Sequence, residues 1–354
     1  MGATAVVFGG YGTFGQLVSK GLASLGVTVI IAGRNLAQAE ALAHQLGRPH
    51  QGVVADITVP ASCRVILKEG IVAVNCTGPF TLLDHTLLDL CLEIGCHYVD
   101  IAEERAYAAM VRSYGARFYQ QGCAAVYGCS SLPGISGALG LIAAANTIAR
   151  PDSARVTLFI GNNNPKGQAA IRTAVAQLGK PIKAPQGELK GFRDGEIVAL
   201  PEPFGSRRVF NFESPEYDLF PQLLGVRAVL VKVGFELKSA TLTFALLAAL
   251  SSNYGEMTAA VLAKLGDLGR GLGRSGGVVM TELFYQDGTI SRAALFCDQQ
   301  AQGMVALPCV FAAEMLCKGD TRLRGALTAY ELLGSQELID RIVAAGFRLM
   351  ATRV

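Results

Sequence analysis

A glycine-rich turn near the start of the chain has the composition of a phosphate-binding loop. Gly10, Gly12 and Gly15 have the spacing Gly-x-Gly-x-x-Gly and lie between an apolar run and a segment with helical spacing. The first glycine permits a tight turn, the second lets a pyrophosphate approach the backbone, and the third lets the helix pack close to the sheet. The anion would meet the free N–H groups at the start of the helix. The alternative is a glycine-rich turn that binds nothing. We expect a dinucleotide site formed by Gly9, Gly10, Tyr11, Gly12, Thr13, Phe14 and Gly15.

The residues after the second apolar run indicate which dinucleotide would bind. NAD enzymes typically place Asp or Glu there to bond the ribose 2′-hydroxyl, whereas this segment reads Ala-Gly-Arg34-Asn35. Arg34 could bind a 2′-phosphate through charge-assisted hydrogen bonds, or it could be an exposed arginine at a strand end. We expect NADP, with Arg34 and Asn35 at its ribose. Asp56, after the third apolar run, could touch the adenine side or begin the next turn.

Polar residues after the fourth and fifth apolar runs are further candidates. Ligands of open α/β sheets bind outside the carboxyl ends of the strands. Asp100 and Glu104 follow the fifth run and could serve the chemistry or stabilise a helix start through its dipole. The loop after the fourth run is expected to contact the cofactor through Thr77, Gly78, Pro79 and Phe80.

A proton donor or acceptor must accompany any hydride transfer, and histidine suits that task near neutral pH. His44 and His50 flank the second helix and its following loop, and His97 begins the fifth run, at the wrong end. His85 is therefore the candidate, the alternative being a histidine on a helix surface. Ser131 is expected to face the nicotinamide, since it could cap the helix that follows. No metal site is predicted, because the cysteines and His97 lack a complete ligand set.

The elements that must position these residues follow from the hydrophobic pattern. Short apolar runs alternate with helical segments of about 10 to 15 residues, which is typical of a parallel sheet covered by helices on both faces. The predicted strands are residues 3–8, 27–32, 51–57, 71–76, 97–101 and 123–128.

The pattern changes after about residue 150. Residues 155–160, 208–213 and 228–236 are expected strands, residues 180–203 are rich in turn formers, and a short Asp287-Gly288 turn marks a hairpin. The tail, residues 303–317 and 326–347, has helical spacing. We therefore predict a doubly wound α/β domain over residues 1–128, an α+β domain with an antiparallel sheet over 129–302, and C-terminal helices over 303–354.

Composition excludes several classes of protein. Among 354 residues, charged residues make up 17% and the net charge is +3, too small an excess for a nucleic-acid binder. The apolar stretches are too short or too interrupted for a membrane span, and we read no secretory signal. The nine cysteines are scattered, as expected of reduced thiols in a cytosolic protein. The expected partner is a small-molecule substrate.

Five short motifs, in order, resemble the saccharopine dehydrogenase-like oxidoreductases, specifically their NAD(P)-binding domain. They are GGYGTFG, IIAGRN, VNCTGPF, CLEIGCHYVDIAEE and SSLPGISG, within residues 9–137. The resemblance covers residues 1–140 well and the rest in outline. It implies a Rossmann domain interrupted by a substrate domain, C-terminal helices that return to the first domain, and a homodimer formed largely through the second.

The resemblance also implies roles for individual residues. It places the phosphate loop on residues 9–15, the nicotinamide-side loop on residues 77–80, and a strand-five motif on residues 98–104. In that motif Glu103 replaces the usual glycine. The loop after Phe80 differs from that of relatives and brings Asp84 and His85 close to the cofactor cleft.

Three functions are open at this point. The resemblance implies an NADP-dependent oxidoreductase acting on a C–N bond, an imine or opine, of an amino acid or amine. Recognition of a dicarboxylate opine needs several convergent Arg or Lys residues, and those of the second domain are interleaved with apolar residues. A reductase of a less polar C=O or C=C substrate, lipid-like or polyketide-like, is therefore the alternative. A non-catalytic nucleotide-binding interaction protein is the third.

Overall fold

The computed structural model describes residues 3–145, 149–165, 168–268, 271 and 273–353. The chain divides into two compact units. The first consists of Met1–Ser130 and Val305–Gly334, and the second of Ser131–Met304 and Ser335–Val354.

The first unit begins with six parallel strands. In all of them except the edge strand at residues 51–54, the Val, Ile and Ala side chains are buried on both faces. The six strands are β1 (Thr4–Phe8), β2 (Thr28–Gly33), β3 (Gln51–Val54), β4 (Val72–Asn75), β5 (His97–Asp100) and β6 (Ala124–Tyr127). The third strand ends at Val54, three residues earlier than predicted, because Asp56 accepts hydrogen bonds from Thr58 and starts a turn.

Six helices connect these strands. They are α1 (Gly15–Ser24), α2 (Leu36–Leu46), α3 (Pro60–Leu67), α4 (Thr86–Ile94), α5 (Arg105–Ser113) and α6 (Gly115–Gln120). A single 3₁₀ turn, Phe80–Leu82, precedes α4, which begins at Thr86. The helix α1 buries Val18 and Leu22, one turn apart, against the sheet.

The second unit is built on a mixed sheet. The strands of this unit that precede the C-terminal segment are β7 (Ser153–Ile160), β8 (Pro181–Ala184), β9 (Gly187–Lys190), β10 (Glu196–Ala199), β11 (Ser206–Asn211), β12 (Ala228–Phe235), β13 (Gly277–Phe284) and β14 (Ile290–Cys297). Of these, β8 and β9 form a separate two-stranded sheet. The turn-rich segment 180–203 thus contains three short strands. The Asp287-Gly288 hairpin is confirmed between β13 and β14. Most pairings are antiparallel, as expected, but β7 and β12 run parallel.

Helices of the second unit follow a π-helical turn at Ser131–Ile135. They are α7 (Ser136–Ala144), α8 (Gln168–Ala176), α9 (Glu216–Leu224), α10 (Lys238–Leu250) and α11 (Glu256–Leu268). The helix α7 contacts β13 and β14, and Thr281 donates a hydrogen bond from its hydroxyl to the Ser136 carbonyl at 2.9 Å.

The C-terminal segment contributes to both units. It contains α12 (Ala301–Lys318), β15 (Gly325–Thr328), α13 (Ala329–Leu333), α14 (Ser335–Ala344) and β16 (Arg348–Arg353). The helix expected from residue 326 is preceded by β15, because this segment pairs with β6 and becomes a further parallel strand. The strand β16 pairs with β14, and α14 packs against α7 in the second unit.

The described strands form two seven-stranded sheets and one two-stranded sheet. Within the described residues, the first sheet has the order β15-β6-β5-β4-β1-β2-β3 and the second β10-β11-β12-β7-β13-β14-β16. By length and composition alone, α12 could cross a membrane, but 67% of its 18-residue stretch is buried within the protein, as in an ordinary core helix.

Candidate functional site

The turn between β1 and α1 is compact because its glycines leave no room for side chains. Gly9 has a positive φ of 70°, and its N–H donates to the Ala32 carbonyl at 2.8 Å. A Cβ on Gly15 would overlap the Gly9 carbonyl, and one on Gly10 would lie 2.8 Å from the Val7 carbonyl oxygen. Glycine at these two positions therefore permits the close packing of helix, turn and sheet.

The outer side of the same turn is open. A Cβ on Gly12 would meet only the Gly9 oxygen, at 3.1 Å. No side chain caps α1, its first turn has no acidic residue, and within residues 3–145 the N–H groups of Thr13 and Phe14 have no backbone acceptor. Free amides at a helix start favour a negative charge. The turn therefore fits a pyrophosphate.

The end of β2 has an exposed cation, Arg34, and is covered by Tyr11 of the glycine turn. Arg34 is exposed, and Asn35 caps α2 by accepting the Gln38 N–H at 3.2 Å. The hydroxyl of Tyr11 accepts the Asn35 backbone N–H at 2.9 Å. Its ring lies over Gly33, where a Cβ would be 2.8 Å from the tyrosine Cζ. The phosphate turn and the end of β2 are thus physically joined.

Asp56 serves the turn that starts α3. One oxygen, Oδ1, accepts the N–H of Thr58 at 2.9 Å and its hydroxyl at 2.7 Å. These bonds, with a smaller contribution from the Arg34 charge, lower the pKa of the Asp56 carboxyl. Of the two roles left open by the sequence, the turn role is observed. The adenine role stays a prediction.

The loop after β4 is held by a buried polar network. The Asn75 side-chain oxygen accepts the N–H of Thr77 at 3.1 Å and its hydroxyl at 2.5 Å. The Asn75 amide group donates to the Tyr98 and Tyr107 hydroxyls, which are 2.8 Å apart. Phe80 packs edge-on against Tyr107, with ring centroids 4.9 Å apart. This network orients Thr77 to Phe80, the predicted nicotinamide-side loop.

This loop and the phosphate turn meet at one edge of the sheet. A Cβ on Gly9 would lie 2.9 Å from the Cys76 carbonyl oxygen and 3.0 Å from the Thr77 methyl. The residues predicted after β1, β2 and β4 therefore form one continuous surface. Sequence reasoning missed the hydrogen-bond network that joins Asn75 to Tyr98 and Tyr107. A polar residue ending an otherwise apolar strand was the signal for Asn75.

Asp100, at the end of β5, is fully buried. Its Oδ1 accepts backbone N–H groups of Ala102 at 3.0 Å and Gly128 at 2.9 Å, and its buried Oδ2 has no hydrogen-bond partner among the described residues. Burial raises the pKa of Asp100 to about 7, although the two N–H groups lower it. The carboxyl therefore ties two loops together and can hold a proton near neutral pH.

The acidic residues after Asp100 interact with their neighbours. Glu103 accepts the Ser130 hydroxyl at 2.8 Å, and Glu104 accepts the Glu103 N–H at 3.2 Å. Glu104 precedes α5 without capping it through its side chain. Ser131 is buried and belongs to the second unit, and its place at the nicotinamide stays a prediction.

His85 lies in a surface cluster. Its Nδ1 is 2.7 Å from Asp89, its side chain is 60% exposed, and its ring stacks on Tyr114. Asp89 also pairs with Arg117 at 3.0 Å. These contacts are those of a helix-surface histidine, and a catalytic role of His85 stays a prediction. Among the described residues, no three His, Cys, Asp or Glu side chains are grouped to hold a metal ion.

Comparison with known proteins agrees with this geometry. Residues 5–126 match the family model described as the saccharopine dehydrogenase NADP binding domain. The chain resembles the saccharopine dehydrogenases. The resemblance predicted from the five motifs is confirmed, and the match to this domain supports a nicotinamide cofactor.

Curated relatives extend the likeness over a limited length. A saccharopine dehydrogenase-like oxidoreductase of Bos taurus is 28% identical over 180 residues, and that of Homo sapiens is 27% identical over the same length. The alignments cover 46% of this chain and 42% of each relative. The match thus spans less than half of these proteins.

A solved structure shows the fold of the whole chain. Saccharopine dehydrogenase (L-Glu forming) of Saccharomyces cerevisiae superposes with a TM-score of 0.70 and covers 100% of both chains, at 14% sequence identity. The predicted fold class, a Rossmann-like parallel sheet plus a second sheet domain, is confirmed.

Proposed function

We propose that this protein is an NADP(H)-dependent oxidoreductase. The observation that carries the proposal is the open glycine turn at the uncapped start of α1, which adjoins both the end of β2 and the loop after β4. A dinucleotide spans these three places in a doubly wound sheet. Support also comes from the family match over residues 5–126.

Each part of the site has a task in this proposal. The amides of Thr13 and Phe14 bind the pyrophosphate, Arg34 binds the 2′-phosphate, and the Thr77 loop orients the nicotinamide. Bound NADP would supply or accept the hydride, which is chemistry of the cofactor. Asp100, buried at the end of β5, accepts the backbone N–H groups of Ala102 and Gly128, and with its pKa raised to about 7 by burial it holds a proton near neutral pH.

The proposed substrate is an amino acid or amine that reacts at a C–N bond. Support for this class comes from the resemblance to the saccharopine dehydrogenases alone. A less polar C=O or C=C substrate is favoured by one observation in the second unit. Its sheet cations Arg155, Lys232 and Arg292 are already paired with glutamates and are not left to bind substrate carboxylates.

The test has a binding stage and a turnover stage. Calorimetric titration with NADPH and NADH should show tighter binding of NADPH. Gly12→Ala should weaken NADPH binding without unfolding the protein, since its Cβ faces the open side of the turn. Failure of the wild type to bind either dinucleotide would contradict the proposal.

NADPH oxidation is then followed with imines, ketones and enoyl thioesters. Turnover of imines supports the C–N class, and turnover of the other two supports the less polar class. Binding of NADPH with no turnover in any series would favour a non-catalytic nucleotide-binding protein. A homodimer, a small-molecule substrate and a cytosolic location are further proposals, and light scattering of the purified protein tests the first.

A further inference from the structure

The side chain of Tyr11 occupies the space over the last residue of β2. Gly33 is buried there, and a Cβ on it would lie 2.8 Å from the Tyr11 hydroxyl oxygen and would overlap the ring. This is the strand end at which NAD-binding folds place a carboxylate for the ribose 2′-hydroxyl. With Tyr11 in this position, residue 33 has no room for such a side chain.

A hydrogen bond to its oxygen fixes the Tyr11 hydroxyl in place and leaves its O–H free to donate. Its oxygen accepts the Asn35 backbone N–H at 2.9 Å, and the Asn35 side-chain oxygen accepts the Gln38 backbone N–H. Within residues 3–145, the Tyr11 hydroxyl donates to no acceptor. A tyrosine hydroxyl donates one hydrogen bond in addition to those it accepts, so this group can serve an incoming anion.

We propose that Tyr11 is a specificity-determining residue for the 2′-phosphate of NADP. Its hydroxyl donates to the phosphate while it accepts the Asn35 backbone N–H. The exposed Arg34, next to Asn35 in the sequence, supplies the positive charge that attracts the phosphate. The ring also fills the space that an NAD-type carboxylate would need. This inference rests on the proposed NADP function and adds a second donor to it.

The Asn35 backbone N–H strengthens the Tyr11 hydroxyl as a hydrogen-bond donor. Hydrogen bonds that pass through a hydroxyl polarise one another, and a bond to a charged acceptor is stronger than a neutral one. Loss of one such bond weakens binding by about 10-fold to 100-fold. The loss should appear only for ligands that carry a 2′-phosphate.

The experiment compares two probes that differ by that phosphate alone, adenosine 2′,5′-bisphosphate and adenosine 5′-monophosphate. Both are titrated calorimetrically into wild type and Tyr11→Phe, which keeps the ring over Gly33. We expect at least a 10-fold loss of affinity for the bisphosphate and none for the monophosphate. The matched control is Tyr119→Phe, a tyrosine that is 69% exposed in the same unit.

Two results would overturn the role of Tyr11 and leave the proposed function standing. One is unchanged bisphosphate affinity in Tyr11→Phe, and the other is an equal loss for both probes. A wild type that binds the bisphosphate no more tightly than the monophosphate would instead contradict NADP itself. Gly33→Ala supplies a second variant. Its methyl must displace the tyrosine, so it should lower the preference for the bisphosphate in the same direction.

Discussion

The two units use their charged residues in opposite ways. In the first, the polar groups lie in loops after parallel strands, and Arg34 is exposed to solvent. In the second, five charged side chains within the strands of the mixed sheet lie on one face and pair with one another. Arg34, which follows β2, and Arg155, which lies within β7, therefore have different tasks.

The charge row of the second unit crosses the sheet. Arg155 on β7 contacts Glu282 on β13 at 2.8 Å and Glu196 on β10 at 2.7 Å. Lys232 on β12 lies 3.2 Å from Glu196, and Arg292 on β14 lies 3.0 Å from Glu282. Glu282 is only 1% exposed. We call these five residues the charge row.

The difference explains which charges are available to a ligand. Parallel strands end at the same edge, so their loops expose polar groups where a ligand can bind. The charge row instead satisfies groups that are buried between strands, where an unpaired charge is costly. Charges of the first unit should therefore affect binding, and those of the charge row should affect folding.

The largest effect is expected in the charge row. Arg155→Met leaves the buried Glu282 with a single partner, and loss of one member of a buried pair costs about 3 to 5 kcal/mol. The free energy of unfolding, measured in urea, should fall by that amount. Arg227→Met is the control, because Arg227 pairs with Asp152 at the surface and is 77% exposed, a setting worth at most about 1 kcal/mol. Equal losses in the two variants would contradict a structural role of the charge row.

The contrast between the units also decides what the sequence could predict. The strands of the first unit and the turn at residues 9–15 follow from local patterns, since each glycine and each apolar run acts within a few residues. The charge row brings together Arg155 and Glu282, 127 residues apart, through a mixed sheet whose strand order no local pattern specifies. The strand β15 could not be predicted for the same reason, because its partner β6 lies far from it in the sequence.

Asp100 is the exception in the first unit, because it is buried as deeply as Glu282 and, within the part of the chain that the structure describes, pairs with no cation. Its folded pKa, about 7, lies above the ordinary value near 4. Its contribution to stability is therefore complete below pH 4 and is lost as the pH rises to 7, by roughly 4 kcal/mol at 1.36 kcal/mol per pKa unit. Asp100→Asn should remove this dependence.

The measurement is urea unfolding between pH 4 and 8. As the pH rises, the free energy of unfolding of Asp100→Asn should increase relative to that of wild type. The amide itself does not titrate, so any destabilisation that it causes is the same at every pH. The exposed Asp320→Asn serves as control. A difference that does not change with pH would contradict a raised pKa of Asp100.

His97, at the other end of the same strand, should show the opposite dependence. Its Nδ1 accepts the Ala124 N–H at 3.0 Å, and burial lowers its pKa to about 4. The unfolded chain takes up a proton near pH 6.5, so stability is complete above that pH and falls by about 3 kcal/mol as the pH drops to 4. His97→Gln should flatten this fall in urea unfolding, and exposed His44→Gln should not. Identical pH profiles of wild type and His97→Gln would show that His97 titrates normally.

Substitution of Arg34 in the first unit should affect binding and leave folding unchanged. Because its guanidinium is exposed and makes no hydrogen bond within the described residues, Arg34→Ala should leave the free energy of unfolding within about 0.5 kcal/mol of wild type. Removal of its charge-assisted bonds to a 2′-phosphate should weaken NADPH binding by about 10-fold to 100-fold, while NADH binding stays unchanged. Calorimetric titration measures both, with Arg64→Ala as the control, an exposed arginine of the same unit that pairs with Glu93. Equal weakening of NADPH and NADH would place Arg34 away from the phosphate, and a loss of stability would place it with the charges that hold the fold.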